Sequence, residues 1–364
     1  MWKKVLFAAS LLFGLGLFVF VIAHFGGIKP TMQTVAEVGW LGLAVFIANA
    51  SVVLIAPAIG WTMLMRGEGM KIPLSTALKA CFMGFPINFL APSMYLGAEP
   101  LKMFYVASAH GEPKRRVLAT IIVSKFQEVG ALLLVMLVAA GIALWRIPAL
   151  REKATVLVTG MAVLSVLFGL TLYAFLGNFR PTVRIINLLA ALGMAKRKLA
   201  RLRRHAREME QLIHRSFTHK WRTFLASQAV TLISAVSILM RPWIFFWFAR
   251  ERVWIGAEYL CGIYVVTNLI NMVPHTPGGL GIFEAGMVGV FKLANIQIAG
   301  DPKSAAAAFS IMTRAADLVL ILVGIYLIVH FNMQAIARRT VKGQEKIRVT
   351  DAELANGAND RPKT

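Results

Sequence analysis

Asn271-Met-Val-Pro274-His275-Thr-Pro277-Gly278-Gly279-Leu-Gly281-Ile-Phe-Glu284 interrupts an apolar run with two prolines and three glycines, then sets down a carboxylate. An earlier stretch, Asn88-Phe-Leu-Ala-Pro92-Ser-Met-Tyr-Leu-Gly97-Ala98-Glu99, has the same order: an Asn, a Pro, and a Glu seven residues after that Pro. The parallel continues downstream. Lys125-x-x-Glu128 follows the first stretch and Arg314-x-x-Asp317 the second, each inside an apolar run. A helix break, a carboxylate and an i, i+3 basic–acidic pair, occurring twice in a hydrophobic chain, predict a membrane transporter built from two repeats.

Composition agrees with a lipid solvent. The 364 residues are 58% hydrophobic and 15% charged, with a mean hydropathy of +0.67. Cys81 and Cys261 lie in apolar runs and read as reduced packing residues, with no disulfide framework or metal site. A net charge of +22 would suggest nucleic acid in a soluble protein. Here the charge lies between apolar spans, so anionic headgroups are the expected partner and nucleic acid is not.

The predicted fold is an all-α polytopic membrane protein, with about six full spans and two re-entrant helical hairpins in an inverted repeat. A first span covers Val5–Ala23. Val21-x-Ala23 could pass as a signal-peptide cleavage site, but the run exceeds a signal peptide's ~7–15 apolar residues. Further spans cover about Val38–Met65, with a possible kink at Pro57, then Val117–Trp145, Ala154–Leu176, Thr223–Phe248 and Ala305–Phe331. The pieces 74–91 and 100–109 are each too short for ~30 Å of hydrocarbon, and 257–273 with 282–293 repeat that arrangement. Residues 1–145, with hairpin 74–110, make the first repeat. Residues 146–332, with a basic insert at 178–222 and hairpin 257–294, make the second. Residues 333–364 are expected to form a disordered cytoplasmic tail.

Basic residues orient this topology. The segments on the N-terminal side carry 26 Lys/Arg against seven in the opposite loops, placing both termini in the cytoplasm. The insert alone has twelve Lys/Arg and two Glu. Leu199, Leu202, Met209, Leu212 and Ile213 recur within it at helical spacing. Two readings of the insert stand: a basic amphipathic helix on an anionic leaflet, and a loop whose charge sets topology.

Chemistry must reside in polar residues within the membrane: Glu99, Lys102, Lys125 and Glu128 in the first half, and Arg241, Glu284, Arg314 and Asp317 in the second. A charge at mid-bilayer costs at least ~2.5–3.5 kcal/mol, so four groups of each sign should pair or line a wet cavity. The downstream pairs can equally be ion pairs that only hold the bundle. Lys79 and Lys292 lie near hairpin ends and can snorkel. The half-helix that begins before Glu284 offers partially positive amides to an anionic group. Gly278, Gly279 and Gly281 let backbone approach a ligand without a Cβ in the way, and Pro277, which marks the break before them, is counted with them as a candidate substrate-binding or coupling residue. His275 reads as a residue lining the turn. No P-loop, nucleophile–base constellation or metal spacing occurs, so neither an enzyme nor a cofactor is expected.

Pro277-Gly-Gly-Leu-Gly-Ile-Phe-Glu284, Leu96-Gly-Ala-Glu99 and Arg314-x-x-Asp317 resemble the lysylphosphatidylglycerol synthase transmembrane-region family. That family is the flippase-like half of the multiple peptide resistance factor, and its free-standing members include hopanoid-biosynthesis-associated membrane proteins. The resemblance covers about 5–332. It implies a bacterial inner-membrane bundle that moves or hands over a lipid between leaflets. Ala98 separates Gly97 from Glu99, Lys102 stands where Arg is common, and Ser124-Lys-Phe-Gln-Glu128 lacks a leading acid. The sequence shows no counterpart of the family's aminoacyl-transferring domain, so the resemblance does not imply lysine transfer. Two functions remain open: a lipid flippase, and a non-transporting accessory protein that binds a lipid for a membrane-bound lipid or hopanoid biosynthetic enzyme.

Overall fold

A computed structural model describes residues 16, 19–20, 28–90, 97–151, 154–177, 183–184, 186–187, 196–249, 255–272, 281–293 and 302–359. Its helices are α1 (Ile28–Gly67), α2 (Leu74–Leu90), α3 (Glu99–His110), α4 (Lys114–Arg146), α5 (Pro148–Arg151), α6 (Ala154–Leu176), α7 (Lys196–Thr218), α8 (Trp221–Phe248), α9 (Ala257–Met272), α10 (Ile282–Leu293) and α11 (Pro302–Asn359). The protein is an all-α polytopic membrane protein. Among the described residues, five helical segments are long and apolar enough to span: Ile28–Gly67, Lys114–Arg146, Leu157–Leu176, Trp221–Phe248 and Lys303–Phe331. The expected span at Val5–Ala23 lies almost wholly outside the described residues.

The centre of the bundle is the seam between α1 and α8, which run antiparallel. Gly42 faces Phe248, Asn49 bonds Ser237, Ser234 Oγ donates to Val53 O, Gly60 faces Thr231 and Ser227, and Gly67 faces Thr223. Hydrocarbon competes for apolar surface as well as another helix does. Association inside a membrane therefore relies on close packing by small residues and on interhelical hydrogen bonds. A Cβ added to Gly60 would lie 2.7 Å from Thr231 Oγ1, so the two backbones meet where the side chain is missing. The helical dihedrals of α1 are interrupted at Gly39 (φ 67°), while Pro57 stays within the helical run.

The short helices pair as expected. At ~1.5 Å per residue, α2 (17 residues) and α3 (12), like α9 (16) and α10 (12), are too short for the hydrocarbon layer. α2 packs on α3, and α9 on α10. Each pair also crosses to the other half of the chain: α2 lies against α11, and α9 against α4. Pro86 has no N–H to give to the carbonyl of Phe82 one turn back. α11 closes on that freed oxygen at Gly324, where a Cβ would stand 2.4 Å from Phe82 O.

The insert 178–222 contains a 23-residue helix, α7, as the helical spacing of its apolar residues led one to expect. Its Ile213 and Phe217 are buried in one cluster with Leu64 of α1 and Val123 and Phe126 of α4. The bundle therefore already covers the apolar face of its C-terminal half. The expected disordered tail from 333 is instead a continuation of α11 to Asn359. The Ala, Arg, Lys, Gln and Glu residues there are strong helix formers, and they extend a helix already nucleated in the membrane. Residues 360–364 lie outside the described part.

Gly324→Ala should push α11 away from α2 and lower the thermal midpoint in detergent by several degrees. Gly169→Ala, where nothing lies within 4 Å of the added carbon, should leave it unchanged. Equal midpoints for the two variants would show that this contact does not hold the helices.

Candidate functional site

Each hairpin delivers its carboxylate to a base on a long helix. In the second half, Glu284 sits in the first turn of α10 and is fully buried. Its Oε2 accepts from the N–H of Gly281 at 2.5 Å, and its Oε1 accepts from Arg314 Nε at 2.9 Å. The first contact folds the side chain back over the helix start, occupying an amide that the helix leaves without a partner. It needs Gly281 at φ 83°, a conformation that Cβ sterics make unfavourable for other residues. Arg314 Nη1 lies 3.6 Å from Asp317 Oδ2. Its guanidinium also lies over two rings, Phe283 of α10 at 4.8 Å and Phe89 of α2 at 5.8 Å, so one side chain touches both hairpins.

The first half repeats the plan more loosely. Lys125 Nζ lies 2.7 Å from Glu128 Oε2 and 3.7 Å from Glu99 Oε1. Glu99 begins α3, and neither of its buried carboxylate oxygens has a hydrogen bond among the described residues. The break before α3 is tied by Asn88, whose Oδ1 accepts the Ala98 N–H at 2.8 Å. Lys102, one turn into α3, is 7% exposed, and its stem lies against α2 at Gly84.

These groups surround one cavity of about 290 Å³, close to the lower end of the ~300–1,000 Å³ usual for ligand pockets. Lys102, Lys125, Glu128, Arg241, Arg314 and Asp317 are its charged lining, four cations against two carboxylates. Glu99 and Glu284 stand behind their bases. Arg241 comes from α8, where its Nε donates to Asn49 Oδ1 at 3.3 Å. Asn49 Nδ2 donates in turn to the carbonyl and hydroxyl oxygens of Ser237, at 3.0 and 2.9 Å. The seam that holds the bundle thus also aims a cation into its centre. Arg314 Nη2 is buried with no hydrogen-bond partner among the described residues, leaving a donor spare at the cavity wall.

The structure therefore brings together both sequence-selected charge groups, residues from the two halves. Pro277, Gly278, Gly279 and His275 lie outside the described residues, as does the side chain of Lys292, while Lys79 is exposed. Asn49, Phe89 and Phe283 were not singled out as site residues, and the tie made by Asn88 was not anticipated. An Asn within an apolar span was one available signal. Another was a recurring offset: Pro57, Pro92 and Glu99 recur 185 residues later as Pro242, Pro277 and Glu284, and Lys125 and Glu128 recur 189 residues later as Arg314 and Asp317. At the first offset Lys102 corresponds to Met287 and Arg241 to Ala56, so neither of these cations has a charged counterpart in the other half.

Residues 7–324 match the family model described as the lysylphosphatidylglycerol synthase TM region, which covers most of the chain. The chain belongs to that family. Its membership carries a membrane lipid-related, flippase-like role, and the matched region is the membrane part of these synthases. No curated protein and no solved structure matches the chain. Within the family framework, the paired hairpin carboxylates and the bases facing them are the features around which the cavity is built.

The two carboxylates should differ in their effect on stability. Removing one partner of a buried ion pair typically costs ~3–5 kcal/mol. Glu284→Ala should approach that range in a detergent unfolding titration, and adding Arg314→Met should restore part of the loss. Glu99→Ala should cost clearly less, because Lys125 keeps Glu128 at 2.7 Å. A larger loss from Glu99→Ala than from Glu284→Ala would contradict this ranking.

Proposed function

We propose that this protein is a lipid flippase-like transporter that moves a polar or amphiphilic lipid, of phospholipid or hopanoid type, between leaflets of the bacterial inner membrane. In this reading both termini lie in the cytoplasm, which the distribution of basic residues supports. The observation that carries the proposal is the cavity itself: charged residues from both halves face one central space, and two of its bases, Lys125 and Arg314, are each backed by a carboxylate from a hairpin. Its volume suits a headgroup, while acyl chains or a ring system remain in the surrounding hydrocarbon. The excess of cations on its wall favours a headgroup with anionic or acceptor atoms, and Lys102, Lys125, Arg241 and Arg314 are the residues that would hold it. Glu99 and Glu284 set the charge and position of the bases. Glu128 and Asp317 neutralise those bases when the space is empty.

An inverted repeat supplies the mechanics of this reading. It is supported by the recurrence of the Pro, Glu and charge-pair positions at offsets of 185 and 189 residues, the antiparallel seam of α1 with α8, and the reciprocal packing of each hairpin on the other half's long helix. If one hairpin opens from each side, rocking about the seam exposes the cavity to each leaflet in turn, the alternating access expected of such repeats.

A second reading, a lipid-binding accessory protein for a membrane-bound biosynthetic enzyme, is favoured by one observation: Arg203, Arg204 and Arg207 on α7 are exposed. Leaflet-resolved movement of fluorescent phospholipids, in liposomes of native lipid extract, separates the two. Transport by wild type that falls at least tenfold in folded Glu284→Gln supports the flippase. Absence of movement by wild type, with or without a proton gradient, would turn the assignment to the accessory function. Activity of the partner enzyme would then depend on the α7 arginines.

A further inference from the structure

α7 is attached to the bundle along only part of its length. Its C-terminal half is fastened by several kinds of contact. Ile213 and Phe217 are buried against α1 and α4, and Phe175 of α6 stacks on Phe217 at 5.6 Å. The carbonyl of Phe175 also lies 2.8 Å from His214 Nδ1. Just beyond the helix, Lys220 Nζ reaches Glu68 at 2.9 Å and donates to the Gly67 carbonyl at 2.5 Å, while Arg116 donates to the Glu68 carbonyl. Three spans are thereby held to one end of α7. Glu208, further up the helix, is gripped by Arg115 of α4 at 2.6 Å.

N-terminal to Glu208 the described packing is slight, with Ala206 clustering only with Val183 and Ile186. Arg203, Arg204 and Arg207 are exposed there, Arg204 with 84% of its side chain free. Its one described ion pair, to Glu208 at 3.7 Å, stays within the helix. The insert carries twelve basic residues against two Glu, and one Glu is already engaged by Arg115. Both ends of the insert lead into membrane spans, α6 before it and α8 after it, so α7 is confined to the level where those spans emerge.

From this we infer that the N-terminal half of α7 is a rigid cationic plate that binds anionic phospholipid headgroups of the membrane in which the bundle sits. It does so by the charge of its exposed arginines. An ordinary interfacial amphipathic helix buries its apolar side in the acyl boundary, and salt removes only part of its affinity. Here the apolar side of the C-terminal half is committed to the protein, and the exposed residues described in the N-terminal half are arginines, so ionic attraction supplies the binding and salt should abolish it. This plate is separate from the cavity and does not depend on transport.

The test is electron spin resonance on the whole chain reconstituted in phosphatidylcholine bilayers, comparing spin-labelled phosphatidylglycerol with spin-labelled phosphatidylcholine. The motionally restricted fraction reports which lipid the protein holds. Wild type should prefer phosphatidylglycerol several-fold at low ionic strength and lose the preference near 1 M salt. Replacing Arg203, Arg204 and Arg207 by Gln should at least halve the preference with an unchanged melting curve, while replacing them by Lys should keep it. If the triple Gln variant folds poorly, Arg203→Gln and Arg207→Gln are read singly, since no described contact holds either residue. No preference in wild type, a preference indifferent to salt, or one retained in the Gln variants would each overturn the inference. Salt-indifference would point to apolar insertion, and retention to other basic loops.

Discussion

A small-residue seam between two antiparallel helices is the contact on which the rest of the bundle depends. In water, α1 and α8 would associate because their apolar surfaces leave solvent; in lipid that drive is absent. What remains is approach close enough for dispersion and for hydrogen bonds that hydrocarbon cannot replace. Gly60 against Thr231 and Asn49 against Ser237 provide both. The long helices α4 and α11 then pack against this central pair, and each hairpin is held by the long helix of the opposite half. The cavity exists because two short helices on each side stop where full spans would have filled the space.

Much of this architecture was legible in the sequence. The hairpin helices expected at 74–91, 100–109, 257–273 and 282–293 fall within one residue of those observed. Pro and Gly mark breaks sharply, and helices too short for the hydrocarbon layer stand out by length alone. The charged residues could be chosen because each is expensive in lipid. Their mutual arrangement could not be read, since Arg241 and Asn49 meet across 192 positions and nothing local records it. The faces by which spans meet were hidden for a related reason. A helix surrounded by lipid on one side and protein on the other is apolar all round, so its pattern lacks the polar stripe that reveals the exterior of a soluble helix.

The halves share a plan but differ in tension. Glu284 is satisfied at both oxygens, whereas Glu99 holds only a looser ion pair. Their extra cations also come from different elements, a hairpin in one half and a full span in the other. Through Glu284 the second hairpin is tied to its long helix more firmly than the first.

Arg314 carries a mechanical consequence. Its guanidinium lies over both Phe89 of one hairpin and Phe283 of the other while its Nε is held by Glu284. Any displacement of one hairpin relative to the other must shear a ring across that flat cation. Such a contact loses strength gradually as the ring slides, by about 0.5–2 kcal/mol in all, whereas a hydrogen bond weakens steeply once its geometry is lost. Phe89 and Phe283 thus give the joint between the hairpins a greased face, and Glu284 gives it a pin.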